Sequence, residues 1–245
     1  MKKYLSKREQ SRMNDELLFH YTTLNRLMDI LKNNRLSLRD PSRWSDQNDA
    51  FSVRKSSDSA VGVICFSCNK REVNLFWESY AREGIGVCVL FNKSALEKEI
   101  NGKEGYLFKR IDYLHKKGDN LFNERNEPYC VKSEEDFAFI KYNSYACENE
   151  YRLVFFSKTN QMQIDGVVEY LEFKEKLDHY IHKIYITPFL DKSQRLDVKM
   201  LLEAYLEKMD LSNIKVRPSK IANDVKWRNG VRKLKRTLKR KNESL

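Results

Sequence analysis

Residues 87–91 read Val87-Cys88-Val89-Leu90-Phe91, an unbroken apolar run with Gly84 and Gly86 just before it. A short run of this composition predicts a strand that is buried on both of its faces. Residues 61–67 have the same character, because they are short, rich in β-branched residues and contain a Phe. The two runs together predict the centre of a sheet.

The segments around these two runs mix helix and strand patterns. Residues 17–21 predict a third buried strand, and Thr22 or Thr23 is placed to cap the helix that follows. Polar loops are predicted at residues 40–49 and 115–128. Further strands are predicted at 36–38, 106–113, 151–156, 167–173, 181–187 and 214–216, and helices at 73–81, 94–100, 133–142 and 196–208. Because the order lacks regular strand–helix–strand alternation, the pattern predicts the α+β class with a mainly antiparallel sheet.

The composition favours one globular domain in the cytoplasm. The chain has 245 residues, 41% of them apolar, which is enough for a sizeable core. We expect no membrane span, because no apolar stretch approaches 18 residues, and no secretory signal, because the first 16 residues are charged. The five cysteines are irregularly spaced, which favours free thiols in a reducing compartment.

The positive charge of the chain lies mainly in its last segment. The formal charge is +11, and residues 225–245 hold nine Lys or Arg and one acid, which leaves +3 for the rest. We therefore predict a polar segment at 1–15, an α+β domain at 16–222 and a basic amphipathic tail helix at 223–245. Its apolar stripe would be Trp227, Val231, Leu234 and Leu238. This helix would either dock on the domain or contact the phosphates of DNA or RNA. The residues predicted to bind nucleic acid are Arg228, Arg232, Lys233, Lys235, Arg236 and Lys239.

Four segments of the sequence resemble a bacterial family known as domain of unknown function 2971. They are Leu18-Phe19-His20-Tyr21-Thr22, the Asp40-Pro41 and Trp44-x-Asp46 stretch, Ile64-Cys65-Phe66-Ser67 with the helix bearing Trp77 and Tyr80, and Glu148-x-Glu150-Tyr151-Arg152. The resemblance covers residues 17–190. It departs from the family pattern at Gln47-Asn48-Asp49, where the family more often has Pro-Phe-Glu.

The family in turn is similar to NAD-dependent ADP-ribosyltransferases. This resemblance implies a split antiparallel sheet with NAD in the cleft. It also implies that Glu150, with Glu148 beside it, carries catalysis. His20 would bind the ribose, and Tyr80 or Tyr21 would stack on nicotinamide. Because the chain has no glycine-rich phosphate loop, Arg152 or Arg39 could hold a phosphate of NAD instead. We expect His20, Tyr80 and Glu150 to meet in one cleft if this interpretation holds.

The chemistry of NAD cleavage suits these residue types. Breaking the bond between nicotinamide and ribose leaves an oxocarbenium-like ribose, which a neighbouring carboxylate stabilises. An aromatic face suits the cationic nicotinamide ring. The chain has no glycine-rich phosphate loop, so a Rossmann type of binding is not expected.

Structural interpretations of the same residues stay open at this point. His20 lies in an apolar segment and could be a hydrogen-bonded core residue. Glu150 and Arg152 are two positions apart on a predicted strand and could form a simple ion pair. Neither Cys65-x-x-Cys68 nor His179-x-x-His182 has the partners of a metal site, so no structural metal is expected.

Three hypotheses about function follow. The first is an NAD-using ADP-ribosyltransferase-like enzyme that modifies nucleic acid or protein in a toxin or phage-defence setting. The second is a non-enzymatic module that binds nucleic acid or a nucleotide and uses the basic tail. The third is a nuclease, for which Asp46, Asp49 and Glu150 are the candidate metal ligands.

Overall fold

The computed structural model describes residues 17–114, 131–160 and 164–221, together with Val231, Leu234 and Lys235. Within these ranges the chain is a mixed structure of helices and one large, mostly antiparallel sheet, which confirms the α+β prediction. The predicted segments 1–15 and 115–128 lie outside the described residues.

The strands of the fold follow the apolar runs closely. They are β1 (Leu17–Thr23), β2 (Arg35–Arg39), β3 (Val61–Ser67), β4 (Gly86–Asn92), β5 (Tyr106–Arg110), β6 (Asp112–Leu114), β7 (Ile140–Tyr142), β8 (Glu150–Phe156), β9 (Val167–Glu172), β10 (Ile181–Ile186) and β11 (Lys215–Pro218). The helices are α1 (Leu24–Asn33), α2 (Gln47–Arg54), α3 (Asn74–Tyr80), α4 (Lys93–Ile100), α5 (Leu177–Tyr180) and α6 (Lys192–Lys208).

Three predicted segments differ from the structure. The single strand predicted at 106–113 is divided into β5, which pairs with β8, and β6, which pairs with β7. The predicted loop at 40–49 contains the start of α2, whose first turn is capped by the Asp46 carboxylate. The predicted helix at 133–142 is instead a 3₁₀ segment, Glu134–Phe139, followed by β7. Residue Ile140 pairs with Asp112 of β6, and this long-range pairing prevails over the local helix pattern.

The main sheet branches at β3. Strands β1 and β2 pair with β3 at one position each, Phe19 opposite Ser67 and Arg39 opposite Val63. On the β1 side of β3 the sheet continues through β4, β10 and β11, and on the β2 side it continues to β9. Strand β8 pairs with β3 along seven positions and also with β5.

One face of the sheet is covered by one apolar cluster, and the other face is covered by two. Helices α1, α4 and α6 cover one face, which includes Leu18 of β1 and Phe66 of β3. Phe76 and Trp77 of α3 cover the other face over Phe19 and Tyr21, and Val53 of α2 covers it beside β3. Successive strand residues point to opposite faces, so alternate side chains of one strand join clusters on opposite faces. The bulge in β10 interrupts this alternation, and Ile181 and Ile184 both join the first cluster.

A glycine at the start of β4 allows α3 to approach the sheet. A Cβ atom at Gly86 would overlap the Ala81 carbonyl oxygen and lie 3.1 Å from the Ala81 Cβ. Ala81 follows Tyr80, the last residue of α3. The close approach therefore fixes where α3 ends and where Tyr80 is placed.

We predict that Gly86→Ala lowers the free energy of unfolding by about 3 kcal/mol, because backbone must shift to relieve the overlap. Gly102→Ala is the control. Gly102 has a φ of +78° and no atom within 4 Å of its added Cβ, so only backbone strain of about 1 kcal/mol is expected. Chemical denaturation measures both, and a Gly86→Ala loss no larger than that of Gly102→Ala would contradict the packing argument.

Candidate functional site

A buried arginine forms the centre of the candidate site. Strand β8 places Glu150 and Arg152 on one face, and Arg152 has 0% of its surface exposed. Its Nε donates to Glu150 Oε1 at 2.6 Å. Its Nη1 and Nη2 donate to the two carboxylate oxygens of Asp49 at 2.9 and 2.5 Å. This two-point contact joins β8 to α2, because Asp49 lies in the first turn of that helix.

The remaining contacts of Arg152 complete its hydrogen bonding. Nη1 also donates to the Ala138 carbonyl oxygen at 3.0 Å, and Nη2 to Glu150 Oε2 at 3.2 Å. The Trp44 ring centroid lies 5.1 Å from the guanidinium carbon. Each nitrogen of Arg152 thus has an acceptor within the protein. In this arrangement Arg152 positions carboxylates and is not exposed to a phosphate, contrary to its predicted role in holding NAD.

A buried lysine links Arg152 and its two carboxylate partners to Glu148. Lys141 lies in β7, and its Nζ is 2.6 Å from Glu148 Oε2, 3.1 Å from Asp49 Oδ2 and 3.3 Å from Glu150 Oε2. Burial alone lowers the pKa of Lys141, but the carboxylates of Glu150, Asp49 and Glu148 together raise it above its usual value. Lys141 is therefore a fixed positive charge shared by three carboxylates.

Glu148 is the carboxylate of this group that lies nearest the surface. It ends the 3₁₀ segment Asn143–Glu148, and Asn149, at a φ of 47°, turns the chain into β8. The Ser67 hydroxyl donates to the Glu148 carbonyl oxygen at 2.8 Å. The Tyr80 hydroxyl donates to Glu148 Oε1 at 2.7 Å, and half of the Tyr80 surface is exposed. Tyr80 therefore borders solvent, whereas Glu148 is itself buried, though less completely than Glu150 and Arg152.

The two glutamates have different proton affinities. Burial raises the pKa of Glu148, and Lys141 only partly offsets this effect because its charge is shared. Burial also acts on Glu150, but the Arg152 guanidinium and the Lys141 ammonium hold the pKa of Glu150 at about 2. Carboxyl groups whose environments separate their pKa values are suited to different roles. Glu150 is a permanent anion, while Glu148 is the better proton acceptor.

The structure separates His20 from these residues. His20 packs against Phe66 and Phe91, with ring centroids 5.6 and 6.5 Å apart, on the face covered by α1, α4 and α6. Glu150 lies on the other face of the sheet, where it pairs with Ser67 of β3. The expected meeting of His20, Tyr80 and Glu150 in one cleft is therefore not observed. Tyr80 meets Glu148 and is close to Glu150, and His20 does not join them.

His20 has a structural contact at the branch point of the sheet. Its Nδ1 is 2.9 Å from the Cys65 carbonyl oxygen, between the two positions where β1 and β2 meet β3. Burial lowers the pKa of His20 to about 4, so the ring is neutral at pH 7. The neutral ring takes the place of a backbone hydrogen bond between strands at this point of the sheet. This agrees with the interpretation of His20 as a hydrogen-bonded core residue.

Tyr21 also has a packing role in this structure. Its ring lies edge-on to Phe76 and Trp77, with centroids 5.5 and 5.2 Å away. The Val73 N–H donates to its hydroxyl oxygen at 3.0 Å. Tyr21 therefore fixes α3 on the sheet and supports Tyr80 indirectly.

The basic tail can be placed at three residues only. Val231, Leu234 and Lys235 are helical and exposed. The predicted contact residues Arg228, Arg232, Lys233, Arg236 and Lys239 lie outside the described residues. Nucleic-acid binding by the tail stays a prediction.

The nuclease hypothesis finds little support in the geometry. Asp49 and Glu150 direct their oxygens at Arg152 and Lys141, two positive groups that occupy the place of a metal ion. Across residues 17–114, 131–160 and 164–221, no group of three or more His, Cys, Asp or Glu is arranged to hold a metal. In the same ranges no helix is long and apolar enough to cross a membrane.

Comparison with known proteins adds no relative. No protein-family model matches the chain, and no curated protein matches it. The resemblance to the family of unknown function, and through it to ADP-ribosyltransferases, stays a prediction.

Sequence reasoning missed Lys141 as part of the site. It lies between Ile140 and Tyr142, in a segment that the local pattern assigned to a helix. A lysine next to buried apolar residues was a usable signal, because lysine is rarely buried without a partner. Its three carboxylate partners come from segments up to 92 positions away and cannot be read from spacing.

We predict that Arg152→Met lowers the free energy of unfolding by about 3–5 kcal/mol, because it leaves the buried carboxylates of Asp49 and Glu150 without their main partner. Lys199→Met removes a more exposed ion pair with Glu203 on α6 and should cost less than about 1 kcal/mol. Urea denaturation at pH 7 measures both variants. Equal stability of Arg152→Met and the unchanged protein would show that the ion pairs do not hold the site.

The lowered pKa of His20 predicts that the free energy of unfolding depends on pH. Its pKa is about 4 in the folded chain and about 6.5 when unfolded, so the unfolded state binds a proton first as the pH falls. The contribution of His20 to the free energy of unfolding is fully present above about pH 6.5 and decreases as the pH falls towards 4. At pH 4.5 the loss amounts to about 2–3 kcal/mol. Denaturation at pH 7 and pH 4.5 should show a smaller difference for His20→Gln than for the unchanged protein. His179→Gln, at an exposed position, is the control and should keep the full difference.

Proposed function

We propose that the chain cleaves the nicotinamide–ribose bond of NAD and transfers ADP-ribose to an acceptor, with Glu148 as the carboxylate at the reacting ribose. The observation that carries the proposal is the hydrogen bond of 2.7 Å that joins the buried Glu148 carboxylate to the hydroxyl of the half-exposed Tyr80. An exposed aromatic ring beside a carboxylate suits the cationic nicotinamide ring and the positive charge that develops on the ribose.

The charge of the site supports a cationic transition state. Three carboxylates, Asp49, Glu148 and Glu150, surround two positive groups, Lys141 and Arg152, which leaves a formal charge of −1. As the bond between the ribose C1′ and the nicotinamide nitrogen breaks, its electron pair leaves with neutral nicotinamide. A net negative environment then stabilises the oxocarbenium-like carbon.

Glu148 is suited to the second half of the reaction as well. The acceptor forms a bond to C1′ and must lose a proton, and a carboxylate with a raised pKa is a better proton acceptor than an ordinary one. Lys141 holds Oε2 of Glu148, and Tyr80 holds Oε1, so the carboxylate is fixed in orientation. The acceptor within this proposal is a group in nucleic acid or protein.

The proposal assigns different roles from those implied by the family resemblance. Glu150 becomes a positioning residue, because both of its oxygens face the cations Arg152 and Lys141, whereas Glu148 contacts the half-exposed Tyr80. His20 has no role at the reacting carbon, because it lies on the opposite face of the sheet. The proposal therefore rests on Glu148 and Tyr80.

Purified protein mixed with NAD and cellular nucleic acid or protein should release nicotinamide. We predict that Glu148→Gln lowers this rate by about 100-fold or more, because it removes the carboxylate charge and the proton acceptor. Tyr80→Phe should lower it by about tenfold, because one oxygen of Glu148 loses its hydrogen-bond donor.

Two controls accompany these variants. Glu203→Gln removes an exposed carboxylate on α6 and should leave the rate unchanged. His20→Gln should also keep most of the rate per folded molecule at pH 7, because His20 lies on the other face of the sheet from Glu148. Nicotinamide release that survives Glu148→Gln, or that depends on His20 instead, would contradict the proposed site.

A further inference from the structure

Lysine and arginine side chains are grouped on one face of the sheet at the edge formed by β10 and β11. Among the described strands, β11 is the last on that side. It pairs in parallel with β10, so that Lys183 is opposite Lys215 and Tyr185 is opposite Arg217. Paired positions of neighbouring strands point to the same face, and so do positions two apart on one strand. These four side chains therefore form one surface, which we call the basic platform.

The basic platform belongs to the face of the sheet that α3 covers. Tyr185 packs against the apolar cluster under α3 and pairs with Cys88 of β4. Helix α3 ends at Tyr80. The platform therefore lies on the same side of the sheet as Tyr80, and its outer residues Lys215 and Arg217 are exposed.

The positive charges of the platform are not neutralised by ion pairs. None of Lys183, Lys215 and Arg217 forms an ion pair with another residue in the ranges 17–114, 131–160 and 164–221. Burial and the charges of Lys215 and Arg217 lower the pKa of Lys183, and the carboxylate of Glu72 only partly offsets them. Lys183 is therefore a half-buried cation that faces two others.

Protection of the sheet edge does not account for this arrangement. Lysines on an edge strand keep that edge from pairing with another chain, and the charges of β11 meet this need by themselves. Lys183 lies one strand further in, directly opposite Lys215, and like charges at paired positions destabilise a sheet. An anion shared by both side chains would remove this cost. The arrangement therefore indicates an anionic ligand.

An aromatic ring lies among these charges. Tyr185 is partly exposed, and the ammonium of Lys183 lies 5.4 Å from its ring centroid. Lys215 and Arg217 are two positions apart, about 6.6 Å along β11, so their charges follow the direction of the strand. Proteins that bind single-stranded nucleic acid combine cations along the phosphates with aromatic faces on which bases stack. The platform combines both features.

An anionic membrane surface is a poorer match for the platform. Binding in a membrane interface relies on exposed apolar side chains that enter the lipid. The outward residues Lys215 and Arg217 are both charged, and Tyr185 is packed against the cluster under α3. The charges and the ring therefore favour a nucleic-acid strand.

We propose that the basic platform binds single-stranded nucleic acid, with Lys183, Lys215 and Arg217 contacting phosphates and Tyr185 stacking on a base. This site is separate from the basic tail, whose predicted contact residues begin at Arg228. The inference does not rest on NAD cleavage, because it concerns binding in the absence of NAD. The strand is DNA or RNA, which share the phosphates and bases that these side chains contact.

Fluorescence anisotropy with labelled oligothymidylate and oligouridylate of about 12 nucleotides measures binding by the full chain without NAD. The platform variant carries Lys183→Gln, Lys215→Gln and Arg217→Gln together. It should weaken binding on the order of tenfold or more. It should also make the slope of log affinity against log salt shallower by about 2, because each lost phosphate contact removes about 0.7.

A charge-matched control separates the platform from the general charge of the protein. The variant with Lys32→Gln, Arg54→Gln and Lys98→Gln loses the same two lysines and one arginine from exposed positions on α1, α2 and α4. It should keep most of the affinity. Tighter binding of oligothymidylate identifies the strand as DNA, and tighter binding of oligouridylate identifies it as RNA.

The stacking role of Tyr185 has its own test. Tyr185→Leu should weaken binding of the intact oligonucleotide on the order of tenfold and leave binding of an abasic oligonucleotide of the same length unchanged. Equal losses in the platform variant and the charge-matched control would overturn the proposal. So would phosphatidylserine vesicles that bind as tightly as the oligonucleotides and depend equally on the platform. Both outcomes are independent of the NAD experiment.

Discussion

The contact between Arg152 and the carboxylates of Asp49 and Glu150 organises the candidate site. A fully buried guanidinium is tolerated only when its charge and its N–H groups are satisfied, and here each nitrogen has an acceptor. This requirement draws α2 towards β8 and orients both carboxylates. Lys141 then enters the same group and carries the link outward to Glu148.

The branched sheet explains why residues that are close in the strand register do not share a site. His20 and Phe19 are neighbours on β1, yet their side chains join clusters on opposite faces. Ser67 and Glu150 pair on the face of Phe19, so the acidic group lies across the sheet from His20. The apolar clusters are what fix these sides, because turning β1 by one residue would bury the wrong set of side chains.

Local patterns were sufficient for the elements that bury apolar runs. The strands at residues 17–21, 61–67 and 87–91 follow directly from their composition and are confirmed. Helix α2 was missed because Gln47-Asn48-Asp49 is polar and lacks an apolar period. What stabilises its start is the Asp46 cap and the distant Arg152. Of the site residues, Glu148 and Glu150 were selected through the family resemblance, and the spacing of Glu150 and Arg152 also predicted their ion pair. Lys141 and the separation of His20 depend on long-range pairing.

The account depends on Glu148 and Glu150, two residues apart, having opposite shifts in proton affinity. The most direct test is to follow the side-chain carboxyl carbons of both residues by NMR as the pH is changed. The account predicts that Glu148 titrates above the ordinary range of a glutamate and that Glu150 stays ionised down to about pH 2. If Glu150 has the higher pKa, or if both titrate as ordinary glutamates, the division of roles between them is wrong and the proposed site loses its basis.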